Sequence, residues 1–444
     1  MRIVVIGGVA GGMSAAAKAR RTNKDAEIVV FEKGRFVSYG ACGMPYFLSG
    51  EIESYEELIV RKPEDFEKAG IKVNLGWEAK EIDAKNFKVI VESREGKREE
   101  VSFDSLVIAT GASSRRLPIE GVDLKGVFTL KSLDDGIAIK NYISDKKVKR
   151  AAVIGAGFIG LELIDAFVRQ GIEVVSIDIV PSPPPQFDDD MVDFVKEKAD
   201  ENKVITCWGS KVDRIEGGDS VEAVVIEGER FPVDMVVLSV GVSPNSEIAE
   251  RAGIELSVAN AIKVDERMQT SVEGIYAAGD CTHSYSVVTG KPIYLPLGSL
   301  ANRHGRVAGT NAAGKNAVMH PVAGSSIVKF FDIGLARAGL TESEAKSEGF
   351  DVASVVIKAY DKAHYYPGAG KMKVKLVWDK ASGRLLGAQL AGPYTGVKRI
   401  DVVASLLIKR ATVSDLKSVD LAYAPPFSPV WDPLSIAANQ AVKD

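Results

Sequence analysis

Ten residues decide the fold of this chain: Ala151-Ala152-Val153-Ile154-Gly155-Ala156-Gly157-Phe158-Ile159-Gly160. A short apolar run, typical of a buried strand, leads directly into the spacing G-x-G-x-x-G. Glycines at this spacing let the backbone turn tightly and approach a pyrophosphate at the N-terminus of the following helix. A second strand-like run, Glu173 to Asp178, follows that helix. The order of strand, glycine turn, helix and strand predicts a dinucleotide-binding βαβ unit.

A comparable pattern opens the chain, where the run Ile3 to Ile6 precedes a glycine-rich turn and an alanine-rich stretch. Val9 stands where the middle glycine of the fingerprint would be, so this turn departs from the pattern. Glu32 supports the assignment, because it ends the next strand at the ~20-residue distance expected of an acid that binds a ribose hydroxyl. The sequence therefore predicts two dinucleotide-binding units.

The acid that ends the later unit indicates which nicotinamide cofactor it takes. Asp178 lies 21 residues after Gly157. Its carboxylate can accept a hydrogen bond from a ribose 2′-hydroxyl and would repel a 2′-phosphate, which favours NADH and leaves NADPH possible. A strand-end residue that caps a turn is the alternative for Asp178. Glu162 is expected to be a charge favoured by the helix start, although it could approach the nicotinamide.

Two dinucleotide units in one chain of this size suggest a hydride relay between FAD in the first and NAD(P)H in the second. The predicted fold class is α/β, with two Rossmann-like domains and a third, α+β domain that begins near Gly324. A strand at Gly274 to Asp280 follows the second unit, and we interpret that unit as inserted into the first. The predicted domains are 1–113 with 262–323 for FAD, 114–261 for NAD(P)H, and 324–444 for the third.

Composition and charge exclude several classes of function. The 444 residues carry 56 Lys and Arg against 60 Asp and Glu, and this net charge of −4 argues against nucleic-acid and membrane-surface binding. The run Ile3 to Ile6 is too short for a signal peptide or a membrane span. The four histidines lack metal-ligand spacing, so no metal site is expected. Three cysteines argue against a disulfide scaffold and favour a reducing, cytoplasmic compartment.

One cysteine lies in a setting that suits redox chemistry: Ser38-Tyr39-Gly40-Ala41-Cys42-Gly43-Met44-Pro45. A helix N-terminus or a positive field would stabilise the Cys42 thiolate there. The alternative is that Cys42 is a small buried apolar side chain without a chemical role. Position 47, where a C-x4-C pair needs its second cysteine, is Phe47. Cys42 must then work as a mixed disulfide with a small thiol or as a sulfenic acid. Cys207 and Cys281 are expected to be structural.

Six motifs carry a resemblance over essentially the whole chain. They are Gly7-Gly8-Val9-Ala10-Gly11-Gly12, Ser38-Tyr39 with Cys42, Ala109-Thr110-Gly111, the second glycine fingerprint, Tyr276-Ala277-Ala278-Gly279-Asp280, and Ala422-Tyr423-Ala424-Pro425-Pro426-Phe427-Ser428-Pro429. On these motifs the chain resembles the single-cysteine branch of the pyridine nucleotide-disulphide oxidoreductases, and within it the coenzyme A disulfide reductases. NADH oxidases and peroxidases are the nearest competitors. In those relatives a histidine acts beside the cysteine where this chain has Ala10, so oxygen and peroxide chemistry lacks its acid–base partner.

The resemblance implies which residues hold FAD and the nicotinamide nucleotide. They are Gly7, Gly8, Ala10, Gly11, Gly12, Glu32, Lys33, Ala109, Thr110, Gly111, Gly155, Gly157, Phe158, Ile159, Gly160, Asp178, Gly241, Gly279 and Asp280.

The resemblance also implies a homodimer in which the third domain is the interface. By that resemblance Tyr365 and Tyr423 reach the site from the partner subunit, where they help to bind and protonate the leaving thiol; core packing is the alternative. Trp431 could stack an adenine, but burial is the expectation. No role is assigned to His304.

Coenzyme A brings a 3′-phosphate and a pyrophosphate, so an otherwise acidic chain should hold a local basic face. Ser14, Lys18 and Arg21 fall at i, i+4 and i+7 and share one helix face. By the resemblance this face meets the nucleotide end of coenzyme A, and a solvated helix face is the alternative. Further residues expected on the substrate side are Ser38, Asn302 and Arg306.

The resulting hypothesis is an enzyme that passes hydride from NAD(P)H through FAD to a Cys42 mixed disulfide and so reduces coenzyme A disulfide. Reduction of a persulfide or polysulfide with coenzyme A is the first alternative, because the same thiolate could attack those sulfur atoms. An NADH oxidase is the second. The alternative outside the enzymes is a flavoprotein that signals redox state through a partner, with Cys42 inert.

Overall fold

The structure, a computed structural model, describes residues 1–442. Lys443 and Asp444, the last two residues of the predicted third domain, lie outside this range. The elements of the first part of the chain are β1 (Arg2–Ile6), α1 (Ala10–Thr22), β2 (Glu27–Glu32), α2 (Met44–Ser49), α3 (Pro63–Lys68), β3 (Ile71–Leu75), β4 (Trp77–Asp83), β5 (Lys88–Ser93), β6 (Arg98–Ser102), β7 (Ser105–Ile108) and β8 (Ala112–Ser114).

The middle of the chain repeats the alternation of strands and helices. Its elements are β9 (Val127–Thr129), α4 (Leu133–Lys146), β10 (Arg150–Ile154), α5 (Phe158–Arg169), β11 (Glu173–Asp178), α6 (Asp193–Glu201), β12 (Ile205–Trp208), β13 (Val212–Gly217), β14 (Val221–Ile226), β15 (Glu229–Pro232), β16 (Met235–Leu238), β17 (Val242–Pro244), α7 (Glu247–Arg251), β18 (Ile275–Ala277), β19 (Ser284–Tyr285), β20 (Pro292–Ile293) and α8 (Gly298–Ala312).

The last part of the chain contains longer strands. Its elements are β21 (Ser326–Phe330), β22 (Ile333–Gly339), α9 (Glu342–Ser347), β23 (Val352–Tyr360), β24 (Lys371–Asp379), β25 (Leu385–Pro393), α10 (Ile400–Ile408), α11 (Val413–Lys417) and α12 (Pro433–Ala441). Among the helices within residues 1–442, none has the length and apolar character needed to cross a membrane.

Two five-stranded parallel sheets form the centres of the two nucleotide units. Their strand orders are β18-β7-β1-β2-β3 and β12-β11-β10-β16-β9. β18 pairs in parallel with β7 although the whole second sheet lies between them in the chain. The second unit is therefore inserted into the first, and the predicted α/β class is confirmed. Both sheets form around central strands, β1, β2 and β7 in one and β10, β11 and β16 in the other, which are short runs of branched and small apolar residues that are almost completely buried. The edge strands β3, β9 and β12 are part-exposed.

The C-terminal part folds around an antiparallel sheet of order β21-β22-β25-β24-β23. Apolar residues of α10 and α12, including Val403, Leu407 and Leu434, are buried with the sheet in one cluster. This arrangement confirms the predicted α+β character.

One helix pair positions the functional region. α8 packs so closely on α1 that a Cβ added at Gly309 would lie 2.2 Å from the Ala15 carbonyl oxygen, and one at Gly305 would lie 2.1 Å from that of Gly11. Only glycine allows this approach. The contact fixes the first residue of α8, Gly298, beside the turn that carries Cys42.

Candidate active site

The carboxyl ends of the two parallel sheets line one cavity of about 2370 Å³. Every residue predicted to hold a cofactor lines it except Gly12 and Gly160. Those two pack inward, since an added Cβ would lie 1.9 Å from the carbonyl oxygens of Gly7 and Gly155 respectively. They shape the turns, which is a different role from contacting a ligand. Ligands of open α/β sheets bind at this edge of the strands.

The two glycine turns are held in the same way. Glu32 accepts hydrogen bonds from the backbone N–H groups of Gly8 and Gly34, each at 2.6 Å. Asp178 accepts from Ala156 N at 2.6 Å and from Val180 N at 2.8 Å. In each turn, glycine backbone lines the cavity at the start of a helix, which suits a pyrophosphate. The donor set and the cavity volume therefore fit FAD and a nicotinamide nucleotide.

Cys42 lies on the cavity wall, in a single 3-10 turn from Ala41 to Gly43. Its thiol is exposed, and a Cβ placed on Gly298 would lie 3.7 Å from Sγ. The start of α8 is thus next to the sulfur. Neither other cysteine shares this setting: Cys281 is fully buried and Cys207 lies part-buried in β12.

The electrostatics around Cys42 differ from the expected thiolate-stabilising field. The residue is open to the cavity, but the protein around the sulfur partly desolvates the thiol and so raises its pKa. The nearby carboxylates of Glu162 and Asp280 raise the thiol pKa further, while Lys131 opposes them. The turn that carries Cys42 contains no basic side chain. The two acids, Glu162 and Asp280, belong to other elements of the chain. The protein alone therefore favours the protonated thiol.

Lys131 is a residue that the sequence analysis missed. Its ammonium lies 2.8 Å from the Asp280 carboxylate, and both line the cavity. It precedes α4, whose N-terminus is closed by the capping box of Ser132 and Asp135. A capped helix start is visible in the sequence, but the partner 149 residues away is not.

Glu162 corrects a second expectation. It lies one turn inside α5, part-buried against the cavity, and so is not a solvated helix-start charge. The Tyr46 hydroxyl donates a hydrogen bond to it at 3.2 Å. Burial raises the pKa of Glu162 to about 7, although the hydrogen bond from Tyr46 opposes this. Burial and the charge of Glu162 also raise the pKa of Tyr46. A carboxyl group that titrates near neutrality beside Cys42 is suited to proton transfer.

The predicted catalytic tyrosines meet on the surface of the C-terminal part. The hydrogen bond between the Tyr423 and Tyr365 side chains raises the pKa of Tyr423, and both rings are exposed. Neither lines the cavity of its own chain.

Trp431 is 65% exposed, so the expectation of burial is wrong for the single chain. The reason is its place after α11, on an apolar surface that this chain does not cover.

The predicted substrate residues form a strip along the α1–α8 pair. The Ser14 hydroxyl donates to Asn302 Oδ1 at 2.6 Å, and Lys18 and Arg306 follow one turn further along their helices. Arg21 is exposed at the end of α1. Ser38 stands apart: its backbone N–H donates to the Gly8 carbonyl at 2.9 Å, with a left-handed φ of 50°. None of these six residues lines the cavity.

His304 is buried in α8, where its ring nitrogens lie 3.2 Å from Thr282 Oγ1 and 3.0 Å from Ser284 Oγ. Burial lowers its pKa to about 4. The neutral ring ties α8 to the segment after β18, which is a structural role.

Comparison with known proteins identifies the family. Residues 1–308 match the pyridine nucleotide-disulphide oxidoreductase family, and residues 325–433 match its dimerisation domain. An NADH oxidase of Methanocaldococcus jannaschii is 36% identical, over 100% of this chain and 99% of the relative. A CoA-dependent NAD(P)H sulfur oxidoreductase of Pyrococcus abyssi is 40% identical over 98% and 97%. A coenzyme A disulfide reductase of Staphylococcus epidermidis is 30% identical over 99% of both chains.

The solved structure of an NAD-dependent persulfide reductase from A. fulgidus superposes with a TM-score of 0.96 and 40% identity, covering 99% of this chain and 83% of that one. The predicted resemblance is confirmed, and with it the use of FAD and a pyridine nucleotide. The chain belongs to the pyridine nucleotide-disulphide oxidoreductase family and is an oxidoreductase that uses FAD and NAD(P)H.

Proposed function

We propose that this chain reduces coenzyme A disulfide with NAD(P)H and that Cys42 forms a mixed disulfide with coenzyme A during each turnover. One observation carries the proposal: Cys42 is the only one of the three cysteines on the cofactor cavity, and a buried phenylalanine, Phe47, stands at the C-x4-C position. With no neighbouring thiol, the second sulfur must come from the substrate.

The chemistry balances with residues of this chain. The Cys42 thiolate attacks one sulfur of the disulfide, so that one thiol leaves and the mixed disulfide forms. FAD, when bound, supplies the transfer of two electrons from NAD(P)H that cleaves this mixed disulfide. The N-terminus of α8 at Gly298, beside Sγ, stabilises the released thiolate and so partly offsets the desolvation and the acids that raise the thiol pKa. Tyr365 and Tyr423 of a second copy of the chain are the proposed donors of the proton to the leaving thiol.

The strip on α1 and α8 is proposed to hold the nucleotide end of coenzyme A. Lys18, Arg21 and Arg306 give it three positive charges, and the bonded pair Ser14 and Asn302 stands at the end of the strip nearest Cys42. Cationic side chains at this spacing suit a 3′-phosphate and a pyrophosphate. Because the helices that carry the strip also carry the first glycine turn and Gly298, substrate and cofactor would be positioned by one rigid pair.

Replacing Cys42 with Ser tests the proposal. We expect FAD to stay bound while turnover of coenzyme A disulfide falls on the order of 10³-fold or more, because the nucleophile is lost. Cys207→Ser, which removes a thiol outside the cavity, is the matched control. Disulfide reduction by Cys42→Ser at the wild-type rate would rule the mechanism out.

Coenzyme A-dependent reduction of a persulfide or polysulfide is the second candidate. The names of the 40% identical relatives favour it. The same Cys42 thiolate would attack the outer sulfur of the acceptor. Rates measured side by side with coenzyme A disulfide, coenzyme A persulfide, polysulfide and oxygen distinguish the candidates. Oxidase activity is the less favoured outcome, because Ala10 provides no imidazole beside Cys42.

Asp178 is the proposed determinant of NADH over NADPH. Its carboxylate accepts a hydrogen bond from Ala156 N in the second glycine turn, and at the end of β11 it would repel the 2′-phosphate of a bound NADPH. Asp178→Asn should raise kcat/KM for NADPH relative to that for NADH by about tenfold, the ratio that corresponds to ~1.4 kcal/mol. An unchanged ratio would contradict this role.

A further inference from the structure

A second, small cavity lies directly behind Glu162. Its volume is about 10 Å³, and its lining includes Tyr46, Ser49, Glu51, Glu162, Asp165 and Lys329. That volume approaches the space that one water molecule needs, and the lining offers more than the two to four polar partners that a buried water requires.

Glu162 is on the wall of both cavities. On one side it faces the space lined by Cys42; on the other it faces the small cavity. Its hydrogen-bond partner, Tyr46, lies in α2, four residues after Cys42. The carboxyl group therefore stands between the reacting sulfur and the small cavity.

The outer end of the small cavity reaches solvent. Lys329 of β21 lies 3.2 Å from Glu51, whose side chain is 42% exposed. The Ser49 hydroxyl also donates to Glu51 at 3.1 Å. Asp165 does not take part in this polar connection, because its oxygens already accept hydrogen bonds from Arg169 Nε at 2.6 Å and from Phe331 N at 3.1 Å. A polar route thus runs from Glu51 through the cavity to Glu162.

The reaction of the proposed function needs such a route. NAD(P)H, one proton and a disulfide give NAD(P)⁺ and two thiols. The two electrons of the hydride break the sulfur–sulfur bond, and the two thiolates formed need two protons. The hydride supplies one, and the other must enter from solvent while substrate and cofactors occupy the cofactor cavity.

We propose that Glu162 is the proton-relay residue through which this second proton enters, passing from solvent at Glu51 by way of a water in the small cavity to a thiolate formed on the Cys42 side. This inference rests on the proposed function, since it assigns a path to a proton that only sulfur–sulfur cleavage consumes. Each cycle transfers one proton from Glu162 into the cofactor cavity and restores it from the small cavity.

The charges around Glu162 suit this role. Burial raises its pKa to about 7, the hydrogen bond from Tyr46 lowers it, Asp165 raises it and Lys329 lowers it. Cys42 faces the same carboxyl group from the neighbouring turn. Glu162 can therefore be protonated below pH 7 and still release its proton readily.

The first test uses thiol reactivity in place of turnover. The rate of Cys42 alkylation by iodoacetamide is measured from pH 5 to 10 in wild type, Glu162→Gln and the exposed-site control Glu197→Gln. Because the Glu162 carboxylate raises the thiol pKa, we expect the alkylation curve of Glu162→Gln to shift to lower pH and that of Glu197→Gln to match wild type. Coincident curves for all three proteins would show that the charge of Glu162 does not reach Cys42, and the proposal would fail.

The second test is the pH profile of turnover. Wild-type kcat should fall as pH rises through about 7, because the donor loses its proton. Glu162→Gln should lose this pH dependence and at least about tenfold in kcat, within the range that proton-transfer residues contribute. Glu162→Asp should recover part of both. An increase in KM for NADH with an unchanged pH profile would make Glu162 a nucleotide-binding residue and overturn the relay.

Two further variants test the cavity itself. Ala166→Val fills the small cavity, and Glu51→Gln removes its outer carboxylate at an exposed position where folding is not at risk. Both should lower kcat while leaving the alkylation curve in place. Wild-type kcat in both would exclude this route. If no sulfur acceptor supports turnover, the proposed function has failed, whereas the alkylation curves still report on Glu162 separately.

Discussion

Glu162 makes the stability of the protein depend on pH in an unusual direction. Its pKa in the folded chain, about 7, lies above the ordinary value of 4.5. A raised carboxyl pKa means that the folded state favours the neutral form, so its stabilising effect is complete below about pH 4.5 and is lost as pH rises to about 7.

Glu162→Gln should therefore be about as stable as wild type at pH 5 and more stable at pH 8.5, by on the order of 2 kcal/mol. Gln keeps the shape of the neutral acid and carries no charge to bury. Thermal unfolding at both pH values, with Glu197→Gln as the control, measures the difference. An advantage at pH 5 that vanishes at pH 8.5 would contradict the assignment.

Residues with local signals could be predicted, and those defined by distant neighbours could not. Cys42 and the glycine turns were found because their chemistry follows from adjacent residues. The protonation of Glu162 depends on Tyr46, 116 residues earlier, and on Lys329 in the C-terminal part. A helix position alone does not reveal such burial, so the sequence favoured a helix-start charge and left an approach to the nicotinamide as the alternative.

At the scale of elements, buried ion pairs join β24 to the loop that follows β11. Lys375 of β24 is 3% exposed, and its ammonium lies 2.9 Å from both Asp190 oxygens and 2.9 Å from Glu342. Asp188 lies 3.2 Å away. Burial of Asp188 would raise its pKa, but hydrogen bonds from Glu342 N and Gln389 and the charge of Lys375 lower it to about 2.

Removing this buried lysine should be costly, because Asp188 and Asp190 would lose their counter-charge, whereas Glu342 would keep its pair with Lys346. We expect Lys375→Met to lose ~3 kcal/mol of stability, as is usual when one partner of a buried ion pair is removed. Lys380→Met, at the end of the same strand, removes an exposed pair with Asp351 and should have little effect. Thermal unfolding of both variants provides the comparison, and equal melting temperatures would refute the buried-pair argument.

The burial of two lysines in β24 could not be predicted from the sequence. Lys371, Lys373 and Lys375 alternate along β24, which is the pattern of a face open to water. In the structure, Lys373 and Lys375 are covered by the 188–193 segment of the inserted unit. Strand periodicity gives the side on which a residue lies, but not what packs over that side.

At the scale of the whole molecule, an apolar surface lies exposed on the C-terminal part. Its large side chains are exposed in the single chain: Tyr365, Tyr423, Phe427, Val430 and Trp431. A surface of this kind marks an interface, and it lies within or beside the matched dimerisation domain. We infer that a second copy covers it, which would bring the tyrosine pair to the partner's cavity.

Mixed dimers test whether the site is shared between subunits. Cys42→Ser and Tyr423→Phe chains, each of low activity alone, should recover about one quarter of wild-type activity after random exchange, since half the dimers are mixed and each has one intact site. No recovery, with exchange confirmed by differently tagged subunits, would place Tyr423 and Cys42 in the same chain's site.

The insertion of one nucleotide unit in the other could be predicted because both show the order of strand, glycine turn and helix, and a further strand, Gly274 to Asp280, follows the second unit. The exposure of Trp431 could not, because burial of an aromatic residue at an interface depends on a second chain. The predicted domain boundaries remain predictions, although the return of β18 to the first sheet agrees with their order.

The mass of the intact protein, purified without reductant and then incubated with coenzyme A disulfide, tests the central claim most directly. A single disulfide-linked coenzyme A on Cys42, absent from Cys42→Ser and released by NADH, is the predicted result. A sulfenic acid at Cys42, or an unmodified thiol after incubation, would contradict a mechanism in which the substrate provides the second sulfur.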